Sequence, residues 1–356
     1  MQVGLIGLPQ AGKKTLFRLL THVDATAFAP SKGGAVPGIC PVRDPRIEKL
    51  TALYHPQKVT PAAIQYLLMP DLTKESESNQ GLFKALASVD VLAAVVRAFT
   101  DETVFHLDGS VNPPRDLDTL QAELLLNDLL FLEKRLERLA KEQARRGPIG
   151  VQEQALLQKL QAHLNDNQPL RTLTLDAQEQ KLLSGAPLLT RKPLLVIANV
   201  DEGQLTDTRL VQELQARTAG QGVHVVHVSA KIEEELAQLD DPSEREAFLN
   251  DLGIAESAID RLTRVSYEAL GLISYFTVGT DEVRAWTVRH GACAPEAGGV
   301  IHSDIERGFI RAEHMGYEDL IALGSEQAVA SAGKASLKGK EYVVQDGDIL
   351  NFRFNV

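Results

Sequence analysis

Nine residues near the N-terminus constrain this chain more than any others: Gly7-Leu8-Pro9-Gln10-Ala11-Gly12-Lys13-Lys14-Thr15. They follow residues 3–6, a short apolar run of the kind buried on both faces of a sheet. They lead into residues 14–21, where Leu16, Phe17, Leu19 and Leu20 recur at helical spacing. A glycine-bearing turn between strand and helix is the setting of a phosphate-binding loop. Glycines let successive backbone N–H groups face an anion, and the helix N-terminus adds a favourable field. Lys13 reaches the terminal phosphates. Pro9, Gln10, Ala11, Gly12, Lys13, Lys14 and Thr15 are thus candidate nucleotide-binding residues.

The loop departs from the pattern at its last position. A Ser or Thr after the lysine ligates Mg²⁺, and here the residue is Lys14, with Thr15 one residue late on another side of the helix. A metal-binding strand ending in Asp-x-x-Gly should follow. Residues 64–69 form the candidate strand, but the aspartate falls at Asp71 and no glycine closes the motif. Asp71 reads as a loop aspartate capping a turn, and no metal ligand is assigned.

Further buried-strand candidates are residues 89–96, 194–198 and 224–228. Strands alternating with helices imply a parallel sheet. Residues 21–45, rich in Ala, Gly and Pro, read as a mobile loop. Leu125, Leu129, Leu132, Leu136 and Leu139 form a coiled-coil seam, and Leu157, Leu160 and Leu164 form a second apolar face. Gly147-Pro148-Ile149-Gly150 separates them as a breaker, so this stretch reads as an antiparallel helical hairpin inserted in the α/β fold. The charges along its first arm form a solvated face, and Arg145-Arg146 at the tip could touch an acidic partner. After about residue 272, short strand patterns at 275–278, 284–288, 309–313 and 342–354 indicate a small α+β domain, with Asp346-Gly347 as a hairpin-turn signal. The 356 residues suggest two to three domains at roughly 150 residues each. The boundaries read as 1–116 with 190–272 for a nucleotide-binding domain, 117–189 for the hairpin and 273–356 for the C-terminal domain.

Base recognition is sought where later strands end, the edge at which open α/β sheets bind ligands. Asn199-Val200-Asp201-Glu202 stands where guanine-specific proteins carry Asn-Lys-x-Asp, and its longer fourth carboxylate shifts the acceptor away from the guanine N–H groups. Val228-Ser229-Ala230-Lys231 follows the next strand. Asn199, Val200, Glu202, Ser229, Ala230 and Lys231 join the candidate nucleotide-binding residues. A net charge of −11 argues against a whole-surface nucleic-acid binder. No apolar run approaches the ~20 residues of a membrane span. The start of the chain lacks a signal-peptide pattern, and Cys40 and Cys293 match no zinc spacing. A reducing, cytoplasmic setting is expected.

These motifs resemble the YchF-type, or Obg-like, ATPases of the translation-factor class of P-loop proteins. The resemblance also rests on Asp44-Pro45-Arg46, Val111-Asn112-Pro113, Glu282-Val283-Arg284-Ala285-Trp286-Thr287, Ile301-His302-Ser303-Asp304, Gly308-Phe309-Ile310-Arg311-Ala312 and Asp346-Gly347-Asp348. It implies a P-loop G-domain with a helical insert and a C-terminal, β-grasp-like TGS domain. It further implies ATP or GTP as ligand with Mg²⁺, contact to a base through Asn199 and Glu202, and association with ribosomes or RNA through the TGS domain and hairpin. The family carries a hydrophobic residue where other members of the class orient water with a glutamine, matched here by Leu72. A loop histidine is the family's suggested catalytic replacement, matched by His106, which by its sequence context alone reads as a surface residue.

Against the family pattern, the departures cluster around one ion. Lys14 replaces a Ser, Leu68 the strand Asp, Asp71 the following Gly, and Lys32 falls near the switch Thr. Loss of Mg²⁺ removes charge neutralisation from phosphoryl transfer. The expectation is a nucleotide-binding protein with hydrolysis weakened or lost, Lys14 and Lys32 partly replacing the metal's charge. The alternatives are an active ATPase or GTPase whose metal is recruited by Asp71 or Thr15, and a non-enzymatic module docking on a ribosome or RNA.

Overall fold

The computed structural model describes residues 1–24, 34–73 and 79–355, of which 142–149 by their backbone alone. Chain contacts divide it into two compact units: Met1–Ile39 with Gln65–Leu262, and Cys40–Ile64 with Thr263–Val356. The strands, in chain order, are β1 (Gln2–Gly7), β2 (Val36–Pro41), β3 (Lys58–Thr60), β4 (Ala63–Leu68), β5 (Val91–Arg97), β6 (Leu194–Asn199), β7 (His224–Val228), β8 (Leu272–Thr277), β9 (Glu282–Arg289), β10 (Phe309–Gly316), β11 (Ser336–Lys338) and β12 (Asp348–Phe354). Helix α1 (Lys13–Thr21) follows β1, and helix α2 (Pro45–Tyr54) follows β2.

The first sheet has the order β2-β4-β1-β5-β6-β7, with β1 parallel to β4 and β5, and β6 parallel to β5 and β7. Every residue of β5 and β6 is buried, including Arg97 and Asn199 at their ends. That is the signature of a sheet covered on both faces. The register sets Gly7 opposite Val95, Arg97 opposite Asn199, and Asn199 opposite Val228. The carboxyl ends of β1, β5, β6 and β7 are thereby aligned along one edge, and each continues into a loop there.

Pro113–Asn165 is helical on both sides of the Gly147-Pro148-Ile149-Gly150 stretch. The chain doubles back between the two arms. Arg135 Nε donates to Glu153 Oε1 at 2.7 Å, whereas 18 residues of straight helix would separate them by about 27 Å. Leu132 and Leu139 of the first arm share one apolar cluster with Leu156, Leu157, Leu160 and Leu164 of the second. The arms are therefore antiparallel, as the two leucine stripes required. Asp128 anchors the first arm, its carboxylate accepting from the Leu189 and Thr190 N–H groups at 2.8 Å each and from Thr190 Oγ1 at 2.6 Å.

The second unit is built on a mixed sheet of order β11-β10-β12-β8-β9-β3. β10 runs antiparallel to β11 and β12, β8 antiparallel to β9, and β12 and β3 parallel to their partners β8 and β9. Tyr275, Phe309, Phe352, Ala294 and Ala297 form its core, with Tyr275 and Phe352 edge to face at 6.0 Å. Three expectations change here. Cys40–Ile64, assigned from sequence to the nucleotide-binding domain, groups with the C-terminal unit, because β3 pairs with β9 and Arg46 on α2 pairs with Asp346. Residues 21–45 are not one loop: β2 and the start of α2 lie within them, while 25–33 fall outside the described residues. Asp346-Gly347 does not close a hairpin; it precedes β12, whose sheet neighbours are β10 and β8.

Arg46 organises this unit locally. Asp44 caps α2 by accepting from the Arg46 N–H at 2.9 Å. The Arg46 guanidinium donates to Asp44 and to Asp346, at 2.7 Å for Asp346 Oδ2, and lies 5.1 Å over the Phe276 ring. Burial disfavours its charge, but the hydrogen bonds to Asp44 and Asp346 more than compensate and hold it protonated. Two motifs 300 residues apart in sequence are thus one ion-pair network.

Candidate nucleotide-binding site

The loop between β1 and α1 bends through positive φ at Gln10 (63°) and Gly12 (90°). Gly7 brings β1 close to β5, since a β-carbon there would stand 2.5 Å from the Val95 carbonyl oxygen. Gly12 is the N-cap of α1, and no side chain caps that end. The first N–H groups of a helix lack intrahelical acceptors, so those of α1 are open to an external anion. Pro9 carries no N–H and shapes the loop only. Lys14 is exposed, and Gln10 is exposed at the loop's crest.

Lys13 is buried to 4% exposure. Its Nζ donates to the carbonyls of Gly7 at 2.8 Å and Leu8 at 3.2 Å and to the Asp71 carboxylate. Burial lowers its affinity for a proton, Asp71 opposes that shift, and Lys14 adds to it. Asp71 is therefore not the turn-capping loop residue expected from sequence.

Asn199, expected at the base, is a brace. Its Nδ2 donates to the Ala11 carbonyl at 3.1 Å, and its Oδ1 accepts from the Ala230 N–H at 3.1 Å. It ties the phosphate loop to the turn after β7. Ser229 is buried and caps the helix Ala230–Leu236 through the Ile232 N–H. Val200 belongs to the core at 3% exposure, its N–H spent on the Val228 carbonyl at 2.9 Å. Glu202 and Lys231 are exposed at the same edge.

Sequence reasoning missed three residues. Asp201 Oδ2 accepts from the Thr100 N–H at 2.9 Å and Oγ1 at 2.8 Å. Arg97 is buried beneath the loop after β5, its guanidinium donating to the carbonyls of Phe99, Asp101, Val104 and Phe105 and stacking 4.5 Å from the Phe99 ring. Phe99 in turn stands 3.9 Å from where a Gly12 β-carbon would be. A lone cation closing the apolar run of β5 was the available signal.

A family model described as YchF-GTPase_C, a protein of unknown function (DUF933), matches residues 272–355. The chain is 42% identical to the ribosome-binding ATPase YchF of Bacillus subtilis over 100% of both chains. It is 36% identical to the protein of that name from Escherichia coli O157:H7, over 99% of both. The chain belongs to the YchF family. The solved YchF GTPase of Schizosaccharomyces pombe superposes with a TM-score of 0.85 at 30% identity, covering 99% of this chain and 97% of that one. A GTP binding protein from Pyrococcus horikoshii OT3, at 20% identity and a TM-score of 0.62, shares the fold. The family resemblance drawn from the motifs is thereby established, together with the α/β P-loop fold and its C-terminal α+β domain.

Among the described residues, the positions expected to surround Mg²⁺ do not compose a divalent-cation site. Lys14 is an exposed cation, Leu68 is buried at 5% exposure, and the Asp71 carboxylate is paired with Lys13. Lys32 lies outside the described residues. Leu72, the family's hydrophobic position, is 1% exposed, and its N–H donates to the Gly7 carbonyl at 3.1 Å.

His106 is not a surface histidine: it is 8% exposed. Its Nδ1 accepts from the Asp108 N–H at 3.1 Å, so the neutral tautomer donates from Nε2 to Asp116 Oδ2 at 2.9 Å. Asp108 and Asp116 bring their oxygens within 4.8 Å of the ring. Arg115 already pairs with both carboxylates, at 2.8 Å from Asp116 and 3.7 Å from Asp108. Both ring nitrogens are engaged, which leaves none for activating water in this arrangement.

Among the described residues no helix is long and apolar enough to cross a membrane.

Proposed function

We propose that this protein binds a nucleoside triphosphate, ATP or GTP, at the loop from Gly7 to Thr15, associates with the ribosome, and hydrolyses its nucleotide weakly or not at all. The nucleotide reading is carried by the uncapped N-terminus of α1 beside the buried Lys13 ammonium, one residue past the positive-φ Gly12. Phosphate oxygens take the N–H groups from Gln10 to Thr15 and the Lys13 Nζ. Glu202, Lys231 and the backbone around Ser229 and Ala230 lie toward the base, with Asn199 holding the two halves of the site together. Association with the ribosome, and with it a cytoplasmic setting, follows the names of relatives such as those of B. subtilis and E. coli.

Weakened hydrolysis is supported by the substitutions at Lys14, at Leu68 with Asp71, and near Lys32. With no hydroxyl at Lys14 and no carboxylate at Leu68 to hold the metal, the charge developing in the transition state lacks its main neutraliser. Calorimetric titration of the full chain with ATP and GTP, with Mg²⁺ and with EDTA, tests the reading together with phosphate release. Binding retained in EDTA with negligible turnover is the expected result. Mg²⁺-dependent turnover abolished by Lys13→Ala would instead establish an active hydrolase with relocated ligands, Asp71 or Thr15. No binding to any nucleotide, with co-sedimentation on ribosomes intact, would leave a docking module.

A further inference from the structure

We propose that Asp71 is an internal stand-in for the terminal phosphate, holding Lys13 until a ligand of higher negative charge displaces it. The inference rests on the nucleotide-binding reading above and names what regulates that site.

A lysine ammonium has three N–H donors. Those of Lys13 are matched one for one by Gly7 O, Leu8 O and the Asp71 carboxylate. A phosphate oxygen arriving at the loop therefore finds no free N–H on Lys13, and one of the three acceptors must leave. The two carbonyls are fixed, since Gly7 and Leu8 lie buried where β1 enters the loop. Asp71 is the acceptor that can go. Its side chain is 44% exposed, against 3% for Lys13. Its backbone need not follow, because Met69 and Leu72 on either side donate to the carbonyls of Leu5 and Gly7 at 3.1 Å each.

The exchange discriminates by charge. A buried ammonium requires an anion close by, and Asp71 meets that need until a ligand does. A nucleoside alone offers Lys13 nothing to replace the carboxylate. A polyphosphate offers more charge and additional acceptors for the open N–H groups of α1. Asp71 therefore lowers affinity for every ligand that must take Lys13, and it leaves ligands that do not reach Lys13 unaffected.

The test is calorimetric titration of the wild-type chain, Asp71→Asn and Asp71→Ala with ATP and with adenosine, in EDTA and, in a parallel arm, in Mg²⁺-containing buffer. Thermal denaturation establishes that each variant is folded. Both substitutions are expected to tighten ATP binding by about tenfold, the factor that corresponds to roughly 1.4 kcal/mol, with adenosine binding unchanged. Unchanged or weaker ATP binding in the folded variants, while wild type binds, overturns the stand-in and spares the nucleotide reading. A loss of affinity restricted to Mg²⁺-containing buffer also overturns it, by making Asp71 a metal ligand. Absence of nucleotide binding in wild type and variants alike removes the nucleotide-binding reading and this inference with it.

Discussion

The Asn199 amide occupies the space that a side chain on Gly12 would need: a β-carbon there would fall 2.2 Å from Asn199 Nδ2. The residues are far apart in sequence, and the parallel register of β1, β5 and β6 brings the end of β6 against the loop that follows β1. The requirement for glycine at position 12 is thus double, a left-handed backbone at φ 90° and a neighbour with no room to give.

Gly12→Ala should therefore cost more than left-handed strain alone. About 1–2 kcal/mol comes from the positive φ, and displacement of Asn199 adds to it. Urea denaturation should show the loss of stability, and nucleotide affinity should fall in parallel. A variant as stable as wild type would show that Asn199 is free to move.

Asn199→Ala deletes both halves of the brace and leaves the buried Ala230 N–H and Ala11 carbonyl without partners. The cost is about 1–3 kcal/mol for each buried group left unsatisfied. Affinity for ATP and for inorganic triphosphate should fall together, because the phosphate loop loses its support. A loss restricted to base-bearing ligands would return Asn199 to the role of base contact.

The Arg46–Asp346 pair predicts strong coupling in the second unit. Arg46→Lys keeps the charge but loses the fork that reaches both carboxylates, so it is not conservative here. A double-mutant cycle with Asp346→Asn should give a coupling of about 1–2 kcal/mol in thermal or urea unfolding. Additive single effects would mean that the bidentate geometry contributes nothing.

Glu233 supplies a pH signature. Its carboxyl lies in the protein interior, and burial pushes its pKa above the usual glutamate range; hydrogen bonds from Ser257 and the Ala258 N–H oppose the shift, and the nearby Asp260 reinforces it. The native state then holds this proton to higher pH than the unfolded chain does. Stability contributed at this site declines as the pH rises from about 4.5 through the raised folded value. Glu233→Gln removes the titration, so its stability relative to wild type should climb from pH 4 to pH 7. A pH-independent difference would place the carboxylate in contact with water.

Leu160→Ala tests the hairpin. Leu160 is fully buried between the arms, and such truncations cost about 2–5 kcal/mol. Limited proteolysis should become faster within residues 117–189, while nucleotide affinity stays within error of wild type. Loss of nucleotide binding would show that the hairpin and the phosphate loop fold as one cooperative unit.

Much of this molecule is decided within short stretches of chain. The apolar run before Gly7, the glycine turn and the helical stripe of Leu16 and Leu20 specify strand, loop and helix locally. The alternating leucine stripes specify two helical arms, since a single straight helix would leave one stripe in water. Segments that draw their order from distant partners were not legible. β3 is three residues long and mostly exposed, and it is a strand only because β9 lies beside it. The breaker at Gly147-Pro148 lies within the span, Arg135 to Glu153, over which the chain reverses.

At the site, a positively charged loop at a helix N-terminus follows from residue order alone, because glycine freedom and lysine charge are local properties of the chain. What those groups touch depends on the folded arrangement. Lys13 meets a carboxylate 58 residues away, Asn199 bridges to a carbonyl 188 residues away, and His106 is locked onto Asp116 inside the protein. Hydrogen bonds act over about 3 Å of space and are indifferent to separation along the chain, so sheet register selects the partners that local sequence leaves open.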